Sequence, residues 1–354
     1  MSDNVHGTFV SHKVSKVRWK PGNNSVSETF ITGSWDEELN LLKLWMYPEN
    51  DSEQQNPDLY PLATSVQVHE GNVTEIKFVD NDLFLVSSSL GSVRLWKVFE
   101  SKITRVTELK EITAWKNIHY FQNGERSSCN GIACYENDVV TIGEDGRINV
   151  LSVSEAEPVR CIDEADSCSM QCVCFLKHNE IMAGNLRGQM KIWDLRSPLL
   201  QPSMTFLVSG EPIAATCLTV HPSQKHIVFA GGEDGFITIW DLRQGTSPVT
   251  LLEAHSSSVN ELMFHPDRPE HFMSCSANGD MWHWNSKTSL KDSVLDSTYV
   301  DIPWLSSTAV KKQVEIVPLM QSLPLPVNSF DLSKNRLILA SDNEAIYIHK
   351  NLRI

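Results

Sequence analysis

Apolar and polar residues alternate along most of this chain in runs of about four to eight, the period of half-buried strands. Gly, Asn, Asp and His-Pro turns break the runs. One stretch is especially clear. Ala215–Val220 reads as a strand and His221-Pro222 as a turn; 226–230 is a second strand, and Gly231-Gly232-Glu233-Asp234-Gly235 is a tight turn. Residues 236–240 are β-branched and alternating, a third strand, and 247–252 make a fourth. The grammar then repeats through Val259–Phe264, His265-Pro266, His271–Ser276, Asn278-Gly279 and 281–284.

The repeat extends along the chain. Five residues after a Gly stands a Trp: Gly91 and Trp96, Gly188 and Trp193, Gly235 and Trp240, Gly279 and Trp284. Gly146 keeps the spacing with Leu151, and Asn40 keeps it with Trp45. Successive anchors lie about 42 to 55 residues apart, the period of a four-stranded propeller blade. The chain is thus expected to be all-β, a single seven-bladed WD40 β-propeller over residues 8–350. The seventh blade has 326–332, 336–340 and 345–348 as strands, with His349 at the aromatic position. Its fourth strand is expected from residues 8–14, a closure that leaves no bare edge.

The recurring Trp fills space between blades, and its buried indole N–H needs a partner. WD40 blades commonly supply one through a Ser and a His. Ser276 with His255, and Ser88 with His69, stand at matching places, so these histidines read as structural. Asp166 and Glu211 occupy the His place in the blades ending at Trp193 and Trp240. Two segments fall outside the grammar. Residues 49–57 form a polar, acidic loop, and 286–312 form a loop insertion placed between blades six and seven.

Composition narrows the function. The 354 residues carry 30 basic and 44 acidic side chains, a net charge of −14. A duplex-binding protein needs a basic face, so nucleic acid is not the expected partner. His12, Lys13, Lys16, Arg18 and Lys20 form a small basic cluster that reads as a solvated strand face. No apolar run approaches the roughly 18 residues of a membrane span, and residues 1–10 do not read as a signal peptide. Eight cysteines without a Cys-x-x-Cys pair point to core packing of reduced thiols in an intracellular protein, not to metal. No catalytic residue, cofactor site or small-molecule substrate is expected. The Asp-Gly turns at 145–146 and 234–235 recur with the blade period and are hairpin signals. Trp193-Asp194-Leu195-Arg196 recurs as Trp240-Asp241-Leu242-Arg243. Such boxes resemble those of cullin-4 ubiquitin ligase substrate receptors, which would make Arg196 and Arg243 adaptor-binding.

Several stretches carry a fuller resemblance. Residues 9–16 with Arg18-Trp19, Thr32-Gly33-Ser34-Trp35-Asp36 and residues 140–149 are similar to the nucleoporin forty-three family. So are 189–196, 239–255, 264–284 and Glu344-Ala345-Ile346-Tyr347. The resemblance includes the missing Trp of blade three. It is weakest after Trp45, at 116–128 and at 286–312. It implies a WD40-repeat subunit in the short arm of the Y-shaped scaffold complex of the nuclear pore, binding other short-arm nucleoporins. It also implies location at the nuclear envelope and, in mitosis, at kinetochores, with roles in mRNA and protein transport, pore assembly and chromosome segregation. It implies no obligate homo-oligomer.

Overall fold

The computed structural model describes residues 5–22, 26–47, 60–100, 107–198, 201–208, 212–286, 303–305, 310 and 314–352. The acidic loop at 49–57 and Glu211 lie outside them. Strand β1 (Val5–Phe9) comes first. Blade one is β2 (Val14–Trp19), β3 (Thr29–Ser34), β4 (Asn40–Met46) and β5 (Leu62–His69). Blade two is β6 (Val73–Phe78), β7 (Leu83–Ser88), β8 (Val93–Glu100) and β9 (Thr107–Trp115). Blade three is β10 (Cys129–Tyr135), β11 (Asp138–Gly143), β12 (Ile148–Ser152) and β13 (Arg160–Ile162). Blade four is β14 (Met170–Lys177), β15 (Glu180–Asn185), β16 (Gln189–Asp194) and β17 (Met204–Leu207). Blade five is β18 (Ala215–Val220), β19 (Ile227–Gly232), β20 (Phe236–Asp241) and β21 (Thr250–Glu253). Blade six is β22 (Val259–Phe264), β23 (His271–Ser276), β24 (Met281–Asn285) and β25 (Glu315–Pro318). Blade seven is β26 (Val327–Ser333), β27 (Arg336–Ser341) and β28 (Ala345–His349), completed by β1.

These seven four-stranded antiparallel sheets make the fold a seven-bladed WD40 β-propeller. The chain divides into two compact units, one of residues 1–173 with 325–354 and one of residues 174–324. The first holds blades seven, one, two and three. The second holds blades five and six and nearly all of blade four, whose β14 begins before the boundary.

The second strands β19, β23 and β27 are buried along their whole length. Facing strands of adjacent blades pack into one core. In the first unit, Ile31, Leu42 and Leu44 of blade one meet Val73, Ile76, Phe84 and Trp96 of blade two.

The glycine of the repeat has two reasons to be glycine. At Gly146 φ is +75°, which favours a residue without Cβ. A Cβ there would also collide with the carbonyl oxygen of Asp166, whose N–H in turn donates to the Gly146 carbonyl. Blade seven departs from this rule. Glu344 takes the glycine place with φ 59°, and its carbonyl accepts the N–H of Val10.

Two expectations change. Blade seven takes its fourth strand from Val5–Phe9, not from 8–14, in the register Val5↔His349 to Phe9↔Ala345. Ser11, at φ 63°, turns the chain after Phe9, and Val14 already opens β2. The insertion lies inside blade six, not between blades six and seven: β25 pairs with β24, so the fourth strand comes after the insertion. Of 286–312, the structure describes Ser286, a short 3-10 turn at Pro303–Leu305 and Val310. Trp304 is 1% exposed. Its ring meets Phe229 and Phe272 at centroid distances of 5.4 and 6.1 Å, and its carbonyl accepts the Thr250 hydroxyl at 3.0 Å. Within this Ser-rich insertion, Trp304 is thus a wedge in the apolar core of the second unit.

Candidate functional site

The blade anchors hold the sheets that any binding surface must ride on. Trp45, Trp96, Leu151, Trp193, Trp240 and Trp284 are all buried, and His349 is half-buried opposite Leu337. Their hydrogen-bond networks differ from blade to blade. In blade six the Trp284 indole N–H donates to Ser274 Oγ at 2.9 Å, and His255 Nε2 lies 2.8 Å from the same oxygen. Ser276, the residue the sequence pointed to, is not part of this chain. Trp284 pairs across the ladder with Phe272, so its diagonal neighbour is Ser274. Ser276 belongs to the turn, where its hydroxyl donates to Asn278 Oδ1 at 2.7 Å. Burial holds the His255 pKa down at about 4, so the ring is neutral near pH 7.

The diagonal position explains the other blades. In blade one it is Thr32, which accepts the Trp45 indole N–H at 2.8 Å. In blade two it is Val86, which has no hydroxyl to offer. The Trp96 indole N–H has no protein partner among the described residues. Ser88 donates instead to the Glu70 carbonyl, and His69 Nδ1 donates to the Gly71 carbonyl at 3.1 Å. The expected Ser88–His69 pair is thus absent. In blade five the diagonal residue is Ala230, and Thr238 on the Trp's own strand takes over at 3.0 Å.

Ser274→Ala is expected to destabilise the fold by about 2–3 kcal/mol, because it strands two buried partners at once. Indole N–H resonances should report it: the Trp284 signal should move in Ser274→Ala and stay in Ser276→Ala. The reverse pattern would reassign the network.

Blade three holds the fullest network, one the sequence reading missed. His119 is fully buried. Its Nδ1 lies 3.0 Å from Asp145 Oδ1 and its Nε2 lies 2.9 Å from Thr141 Oγ. A carboxylate only accepts, so Nδ1 carries the proton and Nε2 is left to accept. Desolvation would raise the Asp145 pKa. The His119 hydrogen bond and the N–H groups of Arg147 and Tyr120 outweigh it and hold the carboxyl below its ordinary value. The signal was hidden because His119 sits ten residues ahead of β10, beyond the hairpin-like loop bridged at Tyr120 and Arg126.

That loop walls a cleft of about 1090 Å³ lined by Tyr120, Phe121, Glu125, Glu144, Asp163 and Glu164 among others. The Arg147 guanidinium lies 3.6 Å from the centre of the Tyr120 ring and 3.1 Å from Asp163. Asp166 is buried at its margin, its Oδ1 accepting the Cys168 N–H.

The two Trp-Asp-x-Arg boxes adopt one geometry. Arg196 forks onto Asp194 at 3.1 and 2.9 Å, and Arg243 onto Asp241 at 2.9 and 2.7 Å. Both arginine side chains remain mostly exposed. The N-terminal basic cluster is paired: Lys13 with Asp36, Lys16 and Arg18 with Glu75, Lys20 with Asp82. The cysteines are free thiols, and Cys129, Cys172, Cys217 and Cys275 are buried. Among the described residues, no group of three or more His, Cys, Asp or Glu side chains is placed to hold a metal ion.

Comparison with known proteins follows the same lines. The WD domain, G-beta repeat model matches residues 60–97, 201–241 and 246–285. Nucleoporin Nup43 of Homo sapiens is 36% identical over a 382-residue alignment covering 99% of this chain and 99% of that protein. Nucleoporin Nup43 of Mus musculus matches to the same extent. Nuclear pore complex protein nup43 of Dictyostelium discoideum is 30% identical over 61% of this chain and 52% of its own length. With the blade pattern and this full-length likeness together, the chain belongs to the Nup43 family of WD40-repeat nucleoporins.

Proposed function

We propose that this chain is a structural subunit of the nuclear pore, seated in the short arm of its Y-shaped scaffold complex. It binds other nucleoporins and carries no catalysis of its own. Its place is the nuclear envelope, with a further place at kinetochores in mitosis. It supports transport of mRNA and protein, pore assembly and chromosome segregation. The observation that carries the reading is the likeness to Nup43 over 99% of both chains. Affinity purification of the tagged chain from cells, with mass spectrometry, tests it. Short-arm nucleoporins should dominate the recovered proteins, and the tagged chain should image as a nuclear rim. Recovery without any of them would overturn the reading.

Arg196 and Arg243 favour a second role. Each guanidinium is held out from the surface in one orientation by its own aspartate. That is a presentation suited to the adaptor of a cullin-4 ligase. The same purification separates the two roles. An adaptor recovered by the native chain but not by Arg196→Ala with Arg243→Ala would support the ligase role, and no adaptor would remove it.

A further inference from the structure

Basic side chains on neighbouring strands of the first unit meet carboxylates, but Lys43 on β4 does not. Its ammonium lies 3.4 Å from the carbonyl oxygen of Val10, 3.3 Å from Nδ1 of His12 and 5.6 Å from the centre of the Trp45 ring. It has no ion pair among the described residues. Burial pulls its pKa below the ordinary lysine value. A partly buried cation without an anion is costly, and further covering would raise that cost unless an anion arrived with the cover.

The surroundings of Lys43 are apolar and open. Val66 pairs directly across the ladder with Lys43, and Val68 with Leu41, so all four lie on one face of blade one. Val66 and Val68 are 49% and 55% exposed. β5 is the last strand of its sheet, with no strand on its outer side. Phe9, just before Val10, is 68% exposed.

We infer that this face is a docking surface for a partner segment in which a carboxylate side chain is flanked by aliphatic ones. The inference rests on the scaffold role proposed above and names a surface for it. The carboxylate answers Lys43 with a charge-assisted hydrogen bond in a partly desolvated place, where such bonds are strong. The aliphatic side chains cover Val66 and Val68. Charge complementarity selects this occupant, since a purely apolar segment would bury Lys43 unanswered and a basic one would repel it.

A photo-cross-linking amino acid placed at position 66 or 68 of the full chain tests this in cells. Pore complexes are purified and the cross-linked peptides sequenced by mass spectrometry. The expected product is a segment of another nucleoporin with Asp or Glu between aliphatic residues. This arm keeps Lys43 native, so it does not depend on a variant folding. In a second arm, Lys43→Glu should reduce recovery of that nucleoporin about tenfold or more, while Lys43→Arg keeps it within about threefold. Melting temperature serves as the folding control. If Lys43→Glu recovers the partner as well as the native chain does, the surface is wrong and the scaffold role stands. If the native chain recovers no nucleoporin, both fall. Cross-links to a second copy, to the chain's own residues 48–59, or to a segment without a carboxylate also overturn the inference.

Discussion

Deleting residues 1–10 is expected to lower the melting temperature by roughly 5–10 °C. The deletion removes β1, the strand that pairs with β28 from Val5↔His349 to Phe9↔Ala345. It also removes Val10, which is buried with Val14, Trp19, Ile346 and Ile348 in one cluster of the first unit. Losing that burial and the ladder hydrogen bonds costs about 3–5 kcal/mol. Circular dichroism melts of the intact and shortened chains measure the difference. A synthetic peptide of residues 1–13 added to the shortened chain should recover part of the loss, because the bare edge of β28 is still there to receive it. An unchanged melt would mean that β1 contributes nothing to the stability of blade seven.

Glu75→Gln is expected to cost about 3 kcal/mol at neutral pH, and the loss should fade in acid. Glu75 sits on β6 with its side chain mostly buried, 2.8 Å from Arg18 Nη2 and 3.4 Å from Lys16 Nζ. Arg18 in turn ties three first strands together. Its Nε donates to the Ile76 carbonyl on β6, and its Nη1 donates to Ser329 Oγ and the Phe330 carbonyl on β26. Without the carboxylate, these cations stay where they are and lose the charge that Glu75 sets beside them. Desolvation would raise the Glu75 pKa. Lys16, Arg18 and Lys77, with the Ile76 N–H, outweigh it and bring the pKa to about 2. A folded-state value below the unfolded one, roughly 4.3, means the stabilisation is whole above that value. It is lost as pH falls from there toward 2. Urea unfolding of both chains from pH 6 to pH 2 should therefore show two curves converging in acid. A gap that stays constant with pH would assign the loss to packing instead of charge.

Much of the fold could be read from the chain because its turns obey hard sterics. The glycine at 146 has no room for a side chain, so its spacing to the third-strand anchor survives even where the anchor is Leu151. The blade networks were harder to read, since they depend on ladder register. Ser274 and Ser276 lie two residues apart on one strand, and only the pairing of Phe272 with Trp284 selects between them. His119 escaped notice because an added loop moves it away from β10. The place of the insertion was misread because β25, with the sequence Glu-Ile-Val-Pro, is short and exposed along its whole length, a weak signal beside the polar stretch before it. Lys43 looked ordinary in the sequence, and its lack of an ion pair among the described residues emerges only when Val10, His12 and β5 lie beside it.

The pairing of β1 with β28 also sets a schedule. The two strands stand at opposite ends of the chain, from residue 5 to residue 349. Contacts this distant in sequence form slowly, because the closure entropy is paid before any contact is gained. A ribosome adds about 5–20 residues per second, so β1 waits on the order of 20 to 70 s for its partner to be made. Throughout that interval Val5–Phe9 is a strand without a sheet. Closing blade seven is then the capture of a segment made long before its partner strand. The shortened chain leaves the edge of β28 bare and a chain still in synthesis leaves β1 unpaired, and both are open to pairing with the wrong strand.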